Sequence, residues 1–171
     1  MDKTSTRVTL ALIALGALSR LLPHPPNVTP LAAMALLGGA RLPKRLAFLA
    51  PLAALFLSDL VLGLHSTIPF VYGCFLATAW LGITLLSENR GALRVGAACL
   101  ASSILFFVAT NFGVWLLSGM YPHSAPGLAA CYTAAIPFFR NSILGDLGFT
   151  AILFGFERLG VRLLAPAAAA A

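Results

Sequence analysis

Four ionisable residues stand in or beside long apolar runs: Arg20, Asp59, Arg140 and Asp146. An ionised side chain inside a bilayer is expensive, so each is a suspect for ligand binding, ion pairing or proton transfer. Two amides, Asn111 and Asn141, occupy comparable positions. The three histidines all fall in stiff or turn-like segments: His24 in Pro23-His24-Pro25-Pro26-Asn27, His65 after Gly63-Leu64, and His123 after Tyr121-Pro122. Imidazole suits a transition metal or a hydrogen-bonded ligand equally well.

Cysteines add softer chemistry. Cys99 reads as a small packing residue. Cys74, in Tyr72-Gly73-Cys74-Phe75, is open to three readings. It is a packed thiol, the partner of Cys131 in a disulfide of an oxidising compartment, or a thiolate ligand for a soft or borderline metal. Bland readings stand beside the other sharp ones too. Two arginines and two aspartates can simply pair between helices, and an arginine near a helix end can snorkel to the headgroups. The aromatic set Tyr72, Phe106, Phe107, Phe112, Trp115, Tyr121, Tyr132, Phe138 and Phe139 is partly what any interfacial belt contains.

The elements that must hold these groups are set by composition. Of 171 residues, 60% are apolar and 9% charged, with mean hydropathy +0.94. A soluble domain carries roughly 25% charged residues, so a water-soluble globule and a disordered chain are both excluded. The expected architecture is all-α: one integral membrane domain over residues 1–171, a bundle of six transmembrane helices at about 8–22, 28–40, 46–64, 71–86, 95–117 and 143–159. A crossing takes about 20 residues, which makes the second helix short.

Charge decides for it. With six crossings, Lys3, Arg7, Arg41, Lys44, Arg45, Arg90, Arg94, Arg158 and Arg162 fall on one side, and only Arg140 falls in a loop on the other. Positive residues mark the cytoplasmic side, so both termini are expected there. Without the second crossing that asymmetry collapses. The net charge of +6 is then a matter of orientation in membrane lipid and not of nucleic acid. The competing reading takes Lys3, Arg7 and the small-x-small Ala17-Leu18-Ser19 as a signal peptide. In the six-helix topology all four ionisable suspects, both amides and all three histidines lie toward the outer leaflet, leaving the inner half almost purely apolar. An outward-facing polar pocket with aromatic walls follows. The tail after Ala165-Pro166 is low-complexity, and the chain contains no Walker loop, zinc spacing or Gly-rich dinucleotide fingerprint.

Four stretches carry a resemblance. They are the run from Arg20 through His24 to Met34, Ser58-Asp59-Leu60-Val61-Leu62-Gly63-Leu64-His65, Asn111-Phe112-Gly113-Val114-Trp115, and Ala135-Ile136-Pro137-Phe138-Phe139-Arg140-Asn141. Through them the chain resembles, from about residue 8 to 159, the S components of energy-coupling-factor vitamin transporters, which are six-helix membrane subunits with an outward-facing vitamin pocket. The resemblance implies a multi-pass protein of the bacterial cytoplasmic (inner) membrane with no cofactor of its own and a vitamin-like ligand. Cys74 together with His24, Asp59 and Arg140 resembles the solitary cobalamin-specific members. That implies cobalamin as ligand, Cys74 as cobalt ligand and catalyst of decyanation, and His24, Asp59, Tyr72 and Arg140 as pocket lining. Asn111 and Asn141 suit the amide edges of a corrin. An energising module of ATPases and a coupling subunit is the implied partner, unless the chain acts alone. Members that dock on such a module carry small residues four apart on the first helix. Here Ala11, Ala14 and Ala17 are three apart, while Ala50 and Ala54 on the third helix are four apart. Two other classes compete: a transition-metal permease using His24, His65 and His123, and a structural membrane protein.

Overall fold

The computed structural model describes residues 3–88 and 91–164. Arg90 and the alanine-rich tail, both used above, lie outside the described residues. Among the described residues the chain is all helical: α1 (Lys3–Ser19), α2 (Leu31–Arg41), α3 (Lys44–Leu62), α4 (Ile68–Leu86), α5 (Ala92–Leu117) and α6 (Ala125–Leu164). Of these, α3, α4 and α5 are long and apolar enough to cross a membrane.

The short α2 is the centre of the bundle. Its residues Leu31 through Ala40 are all buried. Alanine, leucine and methionine are strong helix formers, and the first charge arrives only at Arg41, at the end where the helix dipole favours a cation. Eleven residues rise about 16 Å, half a hydrocarbon core, so α2 cannot span one by itself. Its neighbours cover it instead. Two glycines bring α2 and α4 into backbone contact: a Cβ on Gly39 would lie 2.2 Å from the Ala79 carbonyl oxygen, and one on Gly82 would lie 2.5 Å from that of Leu36.

Consecutive helices run in opposite directions, so the bundle has two distinct ends. At one end Arg20, just past α1, pairs with Asp59 near the end of α3, and Tyr72 near the start of α4 joins them. At the other, Arg41 at the end of α2 pairs with Glu157 late in α6, which also accepts a bond of 3.0 Å from Ser5 at the start of α1. The helix directions gather Lys3, Arg7, Arg41, Lys44, Arg45, Arg94, Arg158 and Arg162 at this second, basic end. That end is not purely apolar inside, contrary to expectation, because Glu157 is fully buried there. Burial is tolerated because Arg41 neutralises the carboxylate.

The largest departure from the sequence reading is α6. It starts at Ala125, not near residue 143, and continues for 40 residues through Pro137. Ser124 caps it, its Oγ accepting the Gly127 amide at 3.2 Å, and an alanine-rich first stretch favours helix. Cys131, Tyr132, Arg140 and Asn141 are therefore helical residues and not parts of a loop. Against α5 the register slips. The Cys131 thiol meets the Asn111 carbonyl and Asp146 meets Ser103. Fifteen residue steps of α6 thus face eight of α5. Pro137 withdraws the amide that would bond the Thr133 carbonyl. A cavity lies along this stretch, lined in part by Phe106, Phe107 and Asn111 of α5 and by Ala135, Phe138, Phe139 and Ser142 of α6. Outward, leucines and aromatics such as Leu57, Val61, Trp80 and Phe156 are exposed, an apolar perimeter suited to lipid.

Candidate functional site

The cavity has a volume of about 450 Å³ and opens at the end opposite the basic one. Helices α2, α4, α5 and α6 contribute to it, together with the segments just after α1 and α3. Around the mouth are Arg20, His24, Asn27, His65 and Thr67. Val71 and the rings of Phe75, Phe106, Phe107, Phe138 and Phe139 make the walls. Thr78, Ser102, Ser142 and Asp146 lie deepest.

The walls are ordered by the helices that carry them. Phe107 of α5 and Phe139 of α6 stack with centroids 4.4 Å apart. Phe75 of α4 and Phe106 of α5 pack at 5.7 Å. Such aromatic pairs contribute about 0.5–1.5 kcal/mol each beyond their burial and hold two flat faces in place. Small hydroxyls allow close packing of the floor: Thr78 donates to Ser102 at 3.2 Å across α4 and α5, and Ser103 donates to Asp146 at 2.7 Å across α5 and α6.

Arg20 and Asp59 work as a unit. The guanidinium reaches Asp59 at 2.9 Å and also donates to Ser58, while the Tyr72 hydroxyl donates to the other carboxylate oxygen at 3.0 Å. Asp59 is 2% exposed. Neither Asp59 nor Tyr72 lines the cavity. They stand behind Arg20 and fix it at the mouth, so the expected lining role passes to Arg20. His24 and His65 do line the mouth. The His24 Nδ1 donates to the Pro25 carbonyl at 3.0 Å, which leaves Nε2 for other partners. The His65 Nδ1 lies 2.8 Å from the Thr67 hydroxyl.

Three other expected site residues fall elsewhere. Arg140 is exposed and outside the lining; on α6 the inward face is set by Ala135, Phe138, Phe139, Ser142 and Asp146, and Arg140 turns away from it. Asn141 does not line the cavity either. It bonds the Pro26 carbonyl at 3.2 Å, pinning the proline-rich segment after α1 onto α6. Cys74 is buried beside the wall residues Val71, Phe75 and Thr78, with its thiol turned toward the Leu105 carbonyl at 3.9 Å and not into the cavity. Asn111 does line it, with its amide nitrogen bonded to the Phe107 carbonyl at 2.7 Å.

The histidine-metal and disulfide readings lose their geometry. All three cysteines are free. Cys74 and Cys131 meet α5 carbonyls six residues apart, at Leu105 and Asn111. That is about 9 Å of helix rise, too far for one bridge. His123 packs on the Trp115 ring with centroids 5.3 Å apart and does not line the cavity as His24 and His65 do. Among the described residues no three His, Cys, Asp or Glu side chains converge as a metal site.

The sequence did single out Asp146, but as one charge among four and at the wrong depth. Ser102, Ser142 and Thr78 were missed. Their signal is small hydroxyls recurring in otherwise apolar helices, which are expected to bond across helix interfaces.

No curated protein and no solved structure matches the chain. A family model does, over residues 2–167. With nearly its whole length matched, the chain belongs to DUF6580, a family of unknown function.

Proposed function

We propose that this protein is a six-span membrane protein that captures a vitamin-like small molecule in the cavity from the outer side. The observation that carries the reading is that the cavity and the basic residues occupy opposite ends of one bundle. If the basic end faces the cytoplasm, as positive residues do, the cavity opens outward and both termini are cytoplasmic. The bacterial cytoplasmic (inner) membrane is then its location. The short α2 completes the count because its neighbours, and not lipid, surround it. About 450 Å³ lies within the usual range of about 300–1,000 Å³ for small-molecule sites. Stacked rings suit a flat ligand, and the polar mouth and floor suit its edges.

That volume favours a compact vitamin or a precursor. Whole cobalamin is the second reading, supported by Cys74 lying one turn from wall residues. It requires the thiol to leave the Leu105 carbonyl and the bulk of the corrinoid to stay in the open mouth. Transport energy comes from elsewhere, and an energising module is the proposed partner. Support for docking is an apolar groove between α1 and α3, in which Ala14, Ala17, Ala50, Ala53 and Ala54 leave room for another helix.

The test is purification from membranes followed by native mass spectrometry. A bound small molecule is expected in the wild type and should vanish in Ala135→Trp, which fills the cavity. A ligand retained by that variant would place binding elsewhere. In cells fed cobalamin, a corrin absorption band lost in Cys74→Ser would establish the second reading over the first.

A further inference from the structure

Three carboxylates are buried among the described residues: Asp59, Asp146 and Glu157. Two have an arginine of their own, Arg20 for Asp59 and Arg41 for Glu157. Asp146 has none among the described residues. It is 8% exposed and faces the cavity. Its one donor among the described residues is the Ser103 hydroxyl. That hydroxyl also lies 3.1 Å from the Cys99 carbonyl, so its single hydrogen is shared between two acceptors. A carboxylate accepts about four hydrogen bonds when satisfied. At the mouth, Arg20 is already matched by Asp59, so the cavity interior holds one uncompensated acidic group.

Its surroundings are also selective. Above Asp146 stand Phe106, Phe107, Phe138 and Phe139. The faces of such rings attract cations, most strongly where water is excluded. A neutral flat molecule would use the rings and leave the carboxylate unsatisfied. An anion would face it at short range in a poorly screened site. A cation uses both.

Resting on the capture reading above, we propose that Asp146 makes the cavity selective for a singly cationic ligand: a flat ring bearing, or lying beside, one positive charge that seats against this carboxylate. The substrate class is thus a compact cationic heteroaromatic or a ring with a protonated amine. Ser103 holds the carboxylate in position.

Three probes sharing one ring separate the possibilities: 1-methylnicotinamide (cation), nicotinamide (neutral) and nicotinate (anion). Each is titrated into the purified protein in lipid nanodiscs, and melting is followed by tryptophan fluorescence. The cation is expected to raise the melting temperature and to bind about tenfold more tightly than nicotinamide, because its ring charge adds attraction to the carboxylate and to the phenylalanine faces that the neutral probe lacks. Nicotinate should give no shift. Asp146→Asn should bring cation and neutral probe to parity. If nicotinamide or nicotinate equals the cation in the wild type, or if the preference survives Asp146→Asn, the charge assignment is overturned while capture stands. If none of the three binds, capture of flat ligands fails along with it. A shift reproduced by sodium chloride alone also overturns the proposal, making Asp146 an inorganic ion site.

Should Asp146→Asn not fold, the wild type still decides. A hydrophobic carbodiimide should modify Asp146, detected by peptide mass spectrometry. 1-Methylnicotinamide should slow that reaction and nicotinamide should not. Equal protection by both overturns the assignment.

Discussion

At the scale of single residues, the Arg20, Asp59 and Tyr72 unit separates stability from lining. Asp59→Asn leaves the partly buried Arg20 guanidinium without its charge partner, and breaking a pair whose carboxylate is buried costs about 3 kcal/mol. A large fall in melting temperature is expected. Tyr72→Phe removes one hydrogen bond to a charged acceptor and should cost about 1–2 kcal/mol, with no change in the shape of the cavity. Both are read by thermal denaturation in the same detergent. Arg140→Ala should leave ligand binding and melting as they are in the wild type, since its side chain is exposed and outside the lining. A loss of binding in that variant would mean that the inward face of α6 is wrongly placed. From sequence, Arg140 and Asp146 looked alike: one charge each, six residues apart in one apolar stretch. What separates them is helical phase, which could not be assigned while the start of α6 was placed at residue 143.

Elements decide whether there is room for a ligand. The α2–α4 contact depends on two glycines, and Gly39→Ala would drive a methyl into the Ala79 carbonyl. Backbone cannot yield as a side chain does, so roughly 3 kcal/mol or more of destabilisation is expected, at the upper end of overpacking costs. Gly96→Ala is the control. Nothing lies within 4 Å of its added Cβ, and replacing a mid-helix glycine should gain about 0.5–1 kcal/mol. Opposite signs in the two melting temperatures check the close approach. Pro137 plays the other part. Pro137→Ala restores the missing amide and lets α6 run closer to α5. A higher melting temperature together with weaker retention of the co-purified ligand is expected. If ligand retention is unchanged, the proline is not what keeps the cavity open.

At the scale of the whole molecule, orientation is the quantity to measure. Lys44→Cys stands at the basic end and Thr67→Cys at the mouth. In intact cells an impermeant maleimide should label Thr67→Cys and spare Lys44→Cys until the membrane is opened. The native thiols are all buried and give a low background. The reverse pattern would turn the cavity toward the cytoplasm and sink outward capture.

Composition set the expectation of a helical membrane chain, because 60% apolar and 9% charged residues leave too little polar surface for water and too much apolar surface for disorder, and three of the helices are long and apolar enough to cross a membrane. Helix count and order were equally legible, since apolar runs and charge clusters are local properties of the chain. Legible too were Arg20 and Asp59 as costly charges, though not that they pair with each other, and the polar character of the end where His24 and His65 sit. Only the folded chain decided which groups meet. It bonded Cys74 to a carbonyl, set Arg140 outside, buried Glu157 at the basic end and left Asp146, among the described residues, with Ser103 but no arginine beneath the phenylalanines. The physical reason is that pairing and cavity shape depend on helical phase and on the register between helices far apart in sequence.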